Sequence, residues 1–238
     1  MPMKVLISGG FHGAYERVLP EFERTTGIAV VTGSGASQGT GPQTIRAQLD
    51  RGVPADVVIL SREGLEELIV ASRIAAGTDV DLARTPIGVA VRAGAHKPDV
   101  RTVAAFAQVM LEARAVAVPS STSGIFLMNE VFPRLGIAGR VDIRIAARGT
   151  GAAAMVAAGE ADVALMPVSE IVHAPGVELA GILAEEIQLN QVFAAAVVAG
   201  AQAAEAGRRL IAYLASERAA EAIRSSGMEP LGPRELRT

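Results

Sequence analysis

Several short segments rich in glycine and hydroxyl side chains are the residues of this chain best suited to bind a small anion. They are Gly9–Gly13, Ser34–Gln38, Ser61–Glu63, Ser120–Gly124 and Arg148–Gly151, and each follows a short apolar run that resembles a buried strand. Glycine lets a ligand approach the backbone closely, and hydroxyl groups donate hydrogen bonds. Because ligands of open α/β sheets collect beyond the carboxyl ends of strands, the chain is predicted to bind a small polar molecule there.

Two kinds of side chain in these segments suggest specific chemistry. Arg62 and Arg148 each follow a strand, and a guanidinium group can grip a carboxylate with two parallel hydrogen bonds. His12 is the candidate catalytic base, because a neutral imidazole takes up or returns a proton near neutral pH; a surface or capping histidine is the alternative. One hydroxyl of Ser120–Ser123 is expected to cap a helix that begins near Ile125. The expected ligand contacts are Gly10, Phe11, Ser34, Ser37, Gln38, Arg62, Ser121, Thr122, Ser123, Arg148, Gly149 and Thr150.

The composition argues against several classes of partner and cofactor. The 238 residues carry a net charge of −3 and only 3% aromatic residues, which disfavours nucleic acid as a partner. The chain has no cysteine, and its three histidines lack ligand spacing, so neither a disulfide nor a metal site is expected. The sequence has no complete dinucleotide fingerprint, phosphate-loop lysine or nucleophile elbow. We therefore expect a protein that works without a cofactor.

The location and the membrane partners follow from the apolar pattern. No apolar run approaches the ~20 residues needed to cross a bilayer. The first residues, Met1–Ser8, enter a strand without the charged and apolar regions of a secretory signal. We expect a cytoplasmic protein, or a periplasmic one if a leader was removed, and only in the second case would an ABC permease be a partner.

The order of predicted elements indicates an α/β fold with two doubly wound lobes. Short apolar strands alternate with amphipathic helices along most of the chain, and the C-terminal strand 192–198 is followed by helices at 203–214 and 217–225. We expect residues 1–84 plus 195–238 to form lobe I and residues 85–194 to form lobe II. Two crossing strands near 84–88 and 190–196 would act as a hinge, with the ligand in a cleft between the lobes.

Three segments carry a resemblance to a known family. Pro54–Leu60, Ala157–Leu165 and Tyr213–Leu231 resemble type II periplasmic binding proteins, and within that group the molybdate-binding-protein-like chains, in the right order over essentially the whole sequence. This family includes aconitate isomerase, an enzyme that moves a double bond in a tricarboxylic acid. The pattern of the oxyanion-binding members is altered here: Gly10 stands where they offer a serine, Pro167 lies near the place of a tyrosine, and segment 33–43 is lengthened. These departures favour an organic carboxylate over molybdate or tungstate.

Two hypotheses of function follow from the sequence. The preferred one is a cofactor-free, aconitate-isomerase-like enzyme that shifts a proton within an unsaturated di- or tricarboxylate, with His12 as the base and Glu170 and Ser123 as the next candidates. The alternative is a non-enzymatic protein that binds a small anion, either the solute-binding component of an ABC transporter or a cytoplasmic sensor.

Overall fold

The computed structural model describes residues 1–147 and 149–232, which contain strands arranged in two sheets. The strands, in chain order, are β1 (Met3–Ile7), β2 (Val30–Ser34), β3 (Val57–Ser61), β4 (Val80–Thr85), β5 (Ile87–Arg92), β6 (Val116–Pro119), β7 (Ile143–Ala146), β8 (Val163–Pro167), β9 (Val177–Ile182), β10 (Gln191–Val197) and β11 (Glu229–Pro230).

Helices follow most of these strands. They are α1 (Gly9–Thr26), α2 (Ile45–Asp50), α3 (Arg62–Val70), α4 (Val103–Glu112), α5 (Thr122–Phe126), α6 (Phe132–Arg134), α7 (Gly149–Ala158), α8 (Val168–Ile171), α9 (Ala204–Leu214) and α10 (Glu217–Ser225). A π-helical turn at Leu127–Val131 connects α5 to α6, and a 3₁₀ turn covers Glu185–Ile187.

The chain divides into two compact units. Unit 1 consists of Met1–Arg84 and the residues from Val192 onward, and unit 2 consists of Thr85–Gln191. Each unit contains one sheet with helices packed on it, which confirms the α/β class.

The sheet of unit 1 has the strand order β11-β4-β10-β3-β1-β2. Strand β1 runs parallel to β2 and β3, and β10 is antiparallel to β3. Successive side chains of a strand point to opposite faces, so Ile7 and Ile59 pack towards α1, α9 and α10, whereas Leu6 and Leu60 pack towards α2 and α3. Burial on both faces explains the unbroken apolar run of β3.

Asp56 ties the two chain segments of unit 1 together. Its buried carboxylate accepts hydrogen bonds from the backbone N–H of Lys4, at 2.8 Å, and of Ala203, at 2.9 Å. Its own N–H donates to the carbonyl of Lys4, and its carbonyl accepts from the N–H of Val198. The aspartate that precedes β3 therefore joins the N-terminal strand to the returning C-terminal segment.

The sheet of unit 2 has the order β7-β6-β8-β5-β9. Strands β6, β7 and β8 are parallel, and β5 is antiparallel to β8 and β9. Val116 and Leu165 face a core completed by Phe106 of α4, whereas Ala117 and Ala164 face the other core, which is built on α7. The small alanines allow α7 to approach the sheet closely.

The predicted elements are mostly present, with two systematic errors. Three segments expected as loops are instead first turns of helices, because α1 begins at Gly9, α5 at Thr122 and α7 at Gly149. Glycine and serine are poor helix formers, so a sequence pattern places the start of such helices too late. Strands β4 and β9 were not predicted, since their mixed polar and apolar residues form a strand only through pairing with β11 and β5.

Among the described residues, no helix is both long enough and apolar enough to cross a membrane.

The packing of α1 gives a testable difference between two of its glycines. A Cβ atom at Gly10 would lie 2.0 Å from the ring of Phe193, a core residue, whereas one at Gly13 would meet only the Ser226 hydroxyl at 3.8 Å. We expect Gly10→Ala to lower the free energy of unfolding by about 1–3 kcal/mol through overpacking. Gly13→Ala should raise it by about 0.5–1 kcal/mol, because alanine is the better helix former.

Urea denaturation of both variants measures this difference. Equal effects of the two substitutions would contradict the close packing of α1 on Phe193.

Candidate functional site

The carboxyl edge of the sheet in unit 1 gathers half of the predicted ligand contacts. Strands β1 and β3 are parallel neighbours, so Ser8 after β1 and Ser61 at the end of β3 lie at the same edge. Helices α1 and α3 both begin at this edge, and their first backbone N–H groups are donors without a partner inside the helix. This edge is therefore suited to a negatively charged group.

Gly9–Gly13 contribute backbone groups to this edge, while two of the predicted contacts have a packing role. Gly10 is buried against Phe193, and Phe11 is completely buried in the core with its ring centroid 6.5 Å from that of Phe193. The expected ligand contact of Phe11 stays a prediction, and in this structure its side chain packs in the core. Gly10 is required by contact with the protein's own core, because no side chain fits there.

Ser8 is a candidate that the sequence interpretation missed. It precedes α1 as its N-cap residue, yet its side chain makes no capping hydrogen bond. Its Oγ is buried and has no hydrogen-bond partner among the described residues. The sequence signal for such a residue is a serine that lies directly between an apolar strand and a pair of glycines. The sequence pattern places Ser8 at the end of the strand and predicts the loop at the glycines that follow.

His12 lies in the second turn of α1, and its side chain is 37% exposed. Its Nδ1 is 3.5 Å from Oε2 of Glu16, one helical turn further along. In a neutral imidazole one nitrogen donates and the other accepts, so a proton held on Nδ1 beside the carboxylate leaves Nε2 as an acceptor. This pair has the composition of a general base with an orienting carboxylate.

In the predicted segment Ser34–Gln38, one side chain is exposed and two form hydrogen bonds. Ser34 is exposed at the end of β2. Ser37 is buried, and its Oγ accepts a hydrogen bond of 2.9 Å from the N–H of Ser61. Gln38 donates through Nε2 to Oε1 of Glu67 at 2.6 Å. Ser37 therefore fixes the segment to the end of β3 and keeps its own hydroxyl proton available for donation.

Arg62 is committed to an ion-pair network within unit 1. Its guanidinium contacts Asp79 at 2.8 Å and forms two hydrogen bonds with Asp81, one of them of 2.7 Å from Nε. The guanidinium group is thus neutralised by two carboxylates of the same unit. That Arg62 grips a ligand carboxylate stays a prediction, and such a contact would compete with these two ion pairs.

Glu63, which follows Arg62, is a partly buried acid that the sequence interpretation does not single out. Burial raises the pKa of its carboxyl above the ordinary 4.5. Hydrogen bonds from its own N–H and from Ser61 lower this pKa, but their effect is smaller than that of burial. Its Oε2 has no hydrogen-bond partner among the described residues. Together with Gln38 and Arg46 it borders a cavity of about 450 Å³. An acidic residue in the first turn of a helix usually stabilises the helix dipole, so its position alone gave no signal of burial.

The carboxyl edge of the sheet in unit 2 holds the serine-rich segment. Thr122 and Ser123 are buried in the first turn of α5. The expected hydroxyl cap is absent at the N-cap residue, Ser121, which makes no side-chain capping hydrogen bond. Ser120 is exposed, and its Oγ donates to the carbonyl of Ala147 at 3.3 Å.

Gly124 explains why this segment winds directly into a helix. A Cβ atom there would lie 1.7 Å from the carbonyl oxygen of Pro119, at the end of β6. The helix can therefore begin against the strand only with glycine at this position. The hydroxyls of Thr122 and Ser123 are held at the same edge as a consequence.

The last predicted segment is only partly described. Arg148 lies outside the described residues, so its contacts stay a prediction. Gly149 opens α7, and Thr150 in its first turn is exposed. In the part of the chain that the structure covers, no group of three or more histidine, cysteine or acidic side chains is arranged to hold a metal ion.

Comparison with known proteins establishes the family. The family model for bacterial extracellular solute-binding proteins matches residues 3–229, nearly the whole chain. The chain belongs to this family. An aconitate isomerase from a Pseudomonas species is 36% identical over 232 residues, which are 96% of this chain and 88% of the relative.

Solved structures identify the fold as that of type II periplasmic binding proteins. The periplasmic molybdate-binding protein of Azotobacter vinelandii superposes with a TM-score of 0.73 at 20% identity, covering 95% of this chain and 98% of its own. The sulfate-binding protein SubI from Mycobacterium tuberculosis gives a TM-score of 0.75 at 20% identity, covering 98% and 88%. The resemblance predicted from Pro54–Leu60, Ala157–Leu165 and Tyr213–Leu231 is thereby confirmed.

The structural role of Arg62 can be tested by Arg62→Ala. We expect the free energy of unfolding to fall by about 1.5–3 kcal/mol, because the largely buried Asp81 loses a charged hydrogen-bond partner. Arg73→Ala is the matched control, since Arg73 pairs with Asp50 in an exposed ion pair that should contribute less than about 1 kcal/mol. Chemical denaturation measures both values. Unchanged stability together with lost carboxylate binding would restore Arg62 as a ligand contact.

The burial of Glu63 predicts a pH-dependent effect of Glu63→Gln. A raised pKa means that the folded protein holds this proton more tightly than the unfolded chain, so stability falls as the pH rises from about 4.5 through the folded pKa. Glutamine cannot ionise and avoids this loss. We expect the stability of the variant relative to wild type to increase over that range.

Denaturation curves recorded between about pH 4 and pH 8 provide the measurement. The control is Glu66→Gln, which removes a carboxylate from an exposed position of the same helix. A pH-independent difference for Glu63→Gln would contradict the burial of its charge.

Proposed function

We propose that this protein binds a small unsaturated di- or tricarboxylate and isomerises it by proton transfer without a cofactor. The observation that carries the proposal is the 36% identity to an aconitate isomerase over 96% of the chain. The residues at the carboxyl edges of the two sheets are consistent with it, because they provide backbone N–H groups, hydroxyls and one imidazole.

Binding of the carboxylates is assigned mainly to neutral donors. The first turn of α1, the hydroxyls of Ser8 and Ser37 and those of Thr122 and Ser123 can donate to carboxylate oxygens. Arg148 is proposed as the charged partner, on the strength of its residue type and its place before α7. Arg62 is left out because its guanidinium is already paired with Asp79 and Asp81.

The proposed reaction is an allylic proton shift. A base removes a proton from the carbon beside a carboxylate, and the electron pair of the C–H bond is delocalised over the carboxylate and the double bond. Return of the proton at the far end of the allylic system moves the double bond without net oxidation or reduction. Donors facing the carboxylate oxygens stabilise the charge that develops there.

His12 is proposed as the base. Its imidazole is partly exposed on α1, and Glu16 stands 3.5 Å from Nδ1, which favours a tautomer whose Nε2 accepts the proton. The same imidazolium would return the proton to the substrate. Glu170 and Ser123, named from the sequence as the next candidates, stay alternatives.

The second candidate function is binding without catalysis. It is favoured by the family itself, whose description is that of solute-binding proteins, and by structural neighbours named for molybdate and sulfate. A thermal-shift panel of molybdate, tungstate, sulfate and several di- and tricarboxylates separates the ligand classes, because a ligand at 100 times its Kd adds ~2.7 kcal/mol of stability. Stabilisation by molybdate with no response to any organic acid would overturn the proposed substrate class.

The decisive experiment combines His12→Ala and Arg148→Ala with substrate exchange in D₂O. Incubation of the wild-type protein with cis- and trans-aconitate should incorporate deuterium and interconvert the isomers, as followed by NMR. His12→Ala should keep its affinity but lose ~10²–10⁴-fold in turnover, which is the usual contribution of a general base. Arg148→Ala should weaken binding by ~1.5–3 kcal/mol, because a charge-assisted hydrogen bond is lost.

The control variant is His173→Ala, which removes an exposed histidine outside the proposed site. Wild-type protein that binds aconitate but gives no exchange above background would support the solute-binding function. Exchange that is undiminished in His12→Ala would assign the base to another residue.

A further inference from the structure

Unit 2 contains a second cavity, at the edge of its sheet opposite to Ser120–Gly124. The cavity has a volume of about 450 Å³ and is bordered by Arg92 at the end of β5, by Arg114 before β6 and by Asp162 before β8. Strand β6 is four residues long, so the two edges of the sheet are about 13 Å apart. Among the described residues, none of those predicted to bind the substrate borders this cavity.

Of the two arginines that border the cavity, Arg114 is paired with a carboxylate, and the guanidinium group of Arg92 can contact a ligand. Arg114 forms a close ion pair with Asp162 through both Nε and Nη2. Arg92 forms no salt bridge with a carboxylate among the described residues and interacts with Asp162 only at longer range. Two guanidinium groups and one carboxylate therefore border the cavity, so the net charge of its described border is positive.

The Arg92 guanidinium packs over the backbone of Gly159. A Cβ atom at Gly159 would lie 2.2 Å from Nη2 of Arg92, so the guanidinium occupies the space that any other residue would fill. Gly159 also has a φ of +78°, a backbone conformation that L side chains rarely adopt. The Arg92 guanidinium thus lies against this turn, at a position where glycine leaves room for it.

The remaining border is apolar. Val91, Val156, Ala161 and Val163 contribute to it, and all four are core residues of unit 2. Small-molecule sites combine such apolar surface with a few polar groups, and volumes of ~300–1,000 Å³ are typical. A guanidinium fork beside apolar surface is suited to an oxyanion attached to an apolar body.

We propose that this cavity is a second ligand site, which binds a small molecule carrying a carboxylate or phosphate on an apolar body, with Arg92 as its main charged contact. This site is separate from the residues of the proposed isomerase reaction. It does not depend on that reaction, since a solute-binding protein would contain the same cavity.

Amide NMR spectra of the ¹⁵N-labelled protein test the proposal, with inorganic phosphate and phenyl phosphate as probes and sodium chloride as the ionic-strength reference. Both probes should cause saturable shifts at the amides of Ala95, Gly159 and Ala161. Phenyl phosphate should bind at least about threefold more tightly than phosphate, because its ring covers the apolar surface. Equal affinities would overturn the assignment of an organic ligand.

The variants Arg92→Gln and Arg101→Gln separate a specific site from general attraction of anions. Arg101 is an exposed arginine of the same unit that pairs with Asp99 and does not border the cavity. Arg92→Gln should weaken phenyl phosphate binding by about tenfold or more, whereas Arg101→Gln should leave it unchanged. Absence of saturable shifts in the wild-type protein, or equal weakening by both variants, would overturn the proposal.

Discussion

Close contact between strand ends and helix starts is the constraint on which both sheet edges depend. A Cβ atom would lie 2.0 Å from the Phe193 ring at Gly10, 2.3 Å from the Ser37 carbonyl at Gly64 and 1.7 Å from the Pro119 carbonyl at Gly124. Each of these glycines stands in the first turn of a helix that follows a strand. Glycine is unfavourable in a helix, and here the close packing of the first turns of α1, α3 and α5 against neighbouring residues outweighs that cost.

This construction determines which chemical groups meet a ligand. Because the helices begin immediately after the strands, their unpaired N–H groups and the hydroxyls of Ser8, Thr122 and Ser123 lie at the carboxyl edges. The arginine at the edge of unit 1 is neutralised by Asp79 and Asp81. The groups that this edge offers to the proposed ligand are therefore mainly neutral dipoles, as is common where an anion is recognised at a helix N-terminus.

The same fold serves different functions among the proteins that resemble this chain. One relative is named for an isomerase, and structural neighbours are named for binding molybdate and sulfate. Function must accordingly be argued from side chains at the site. The proposed catalysis depends on His12 and Glu16, because an imidazole beside a carboxylate can move a proton.

Local sequence was sufficient for the fold class and for most elements. An apolar run such as Val57–Leu60 indicates a strand that is buried on both faces. The predicted bounds of the helix at 217–225 agree with the structure because its apolar residues recur with a regular helical period. The order of strands and helices also carried the family resemblance. These signals are local, so they can be recovered without knowing which residues meet in space.

The remaining features were decided by tertiary structure, because they depend on contacts between residues far apart in the chain. Phe11 is a core residue because Phe193 packs beside it, and Arg62 is paired because β4 brings Asp79 and Asp81 within reach. Glu63 has a raised pKa only because the fold buries it. Residue type indicated what each side chain could do, but availability for a ligand depends on neighbours that only the folded chain provides.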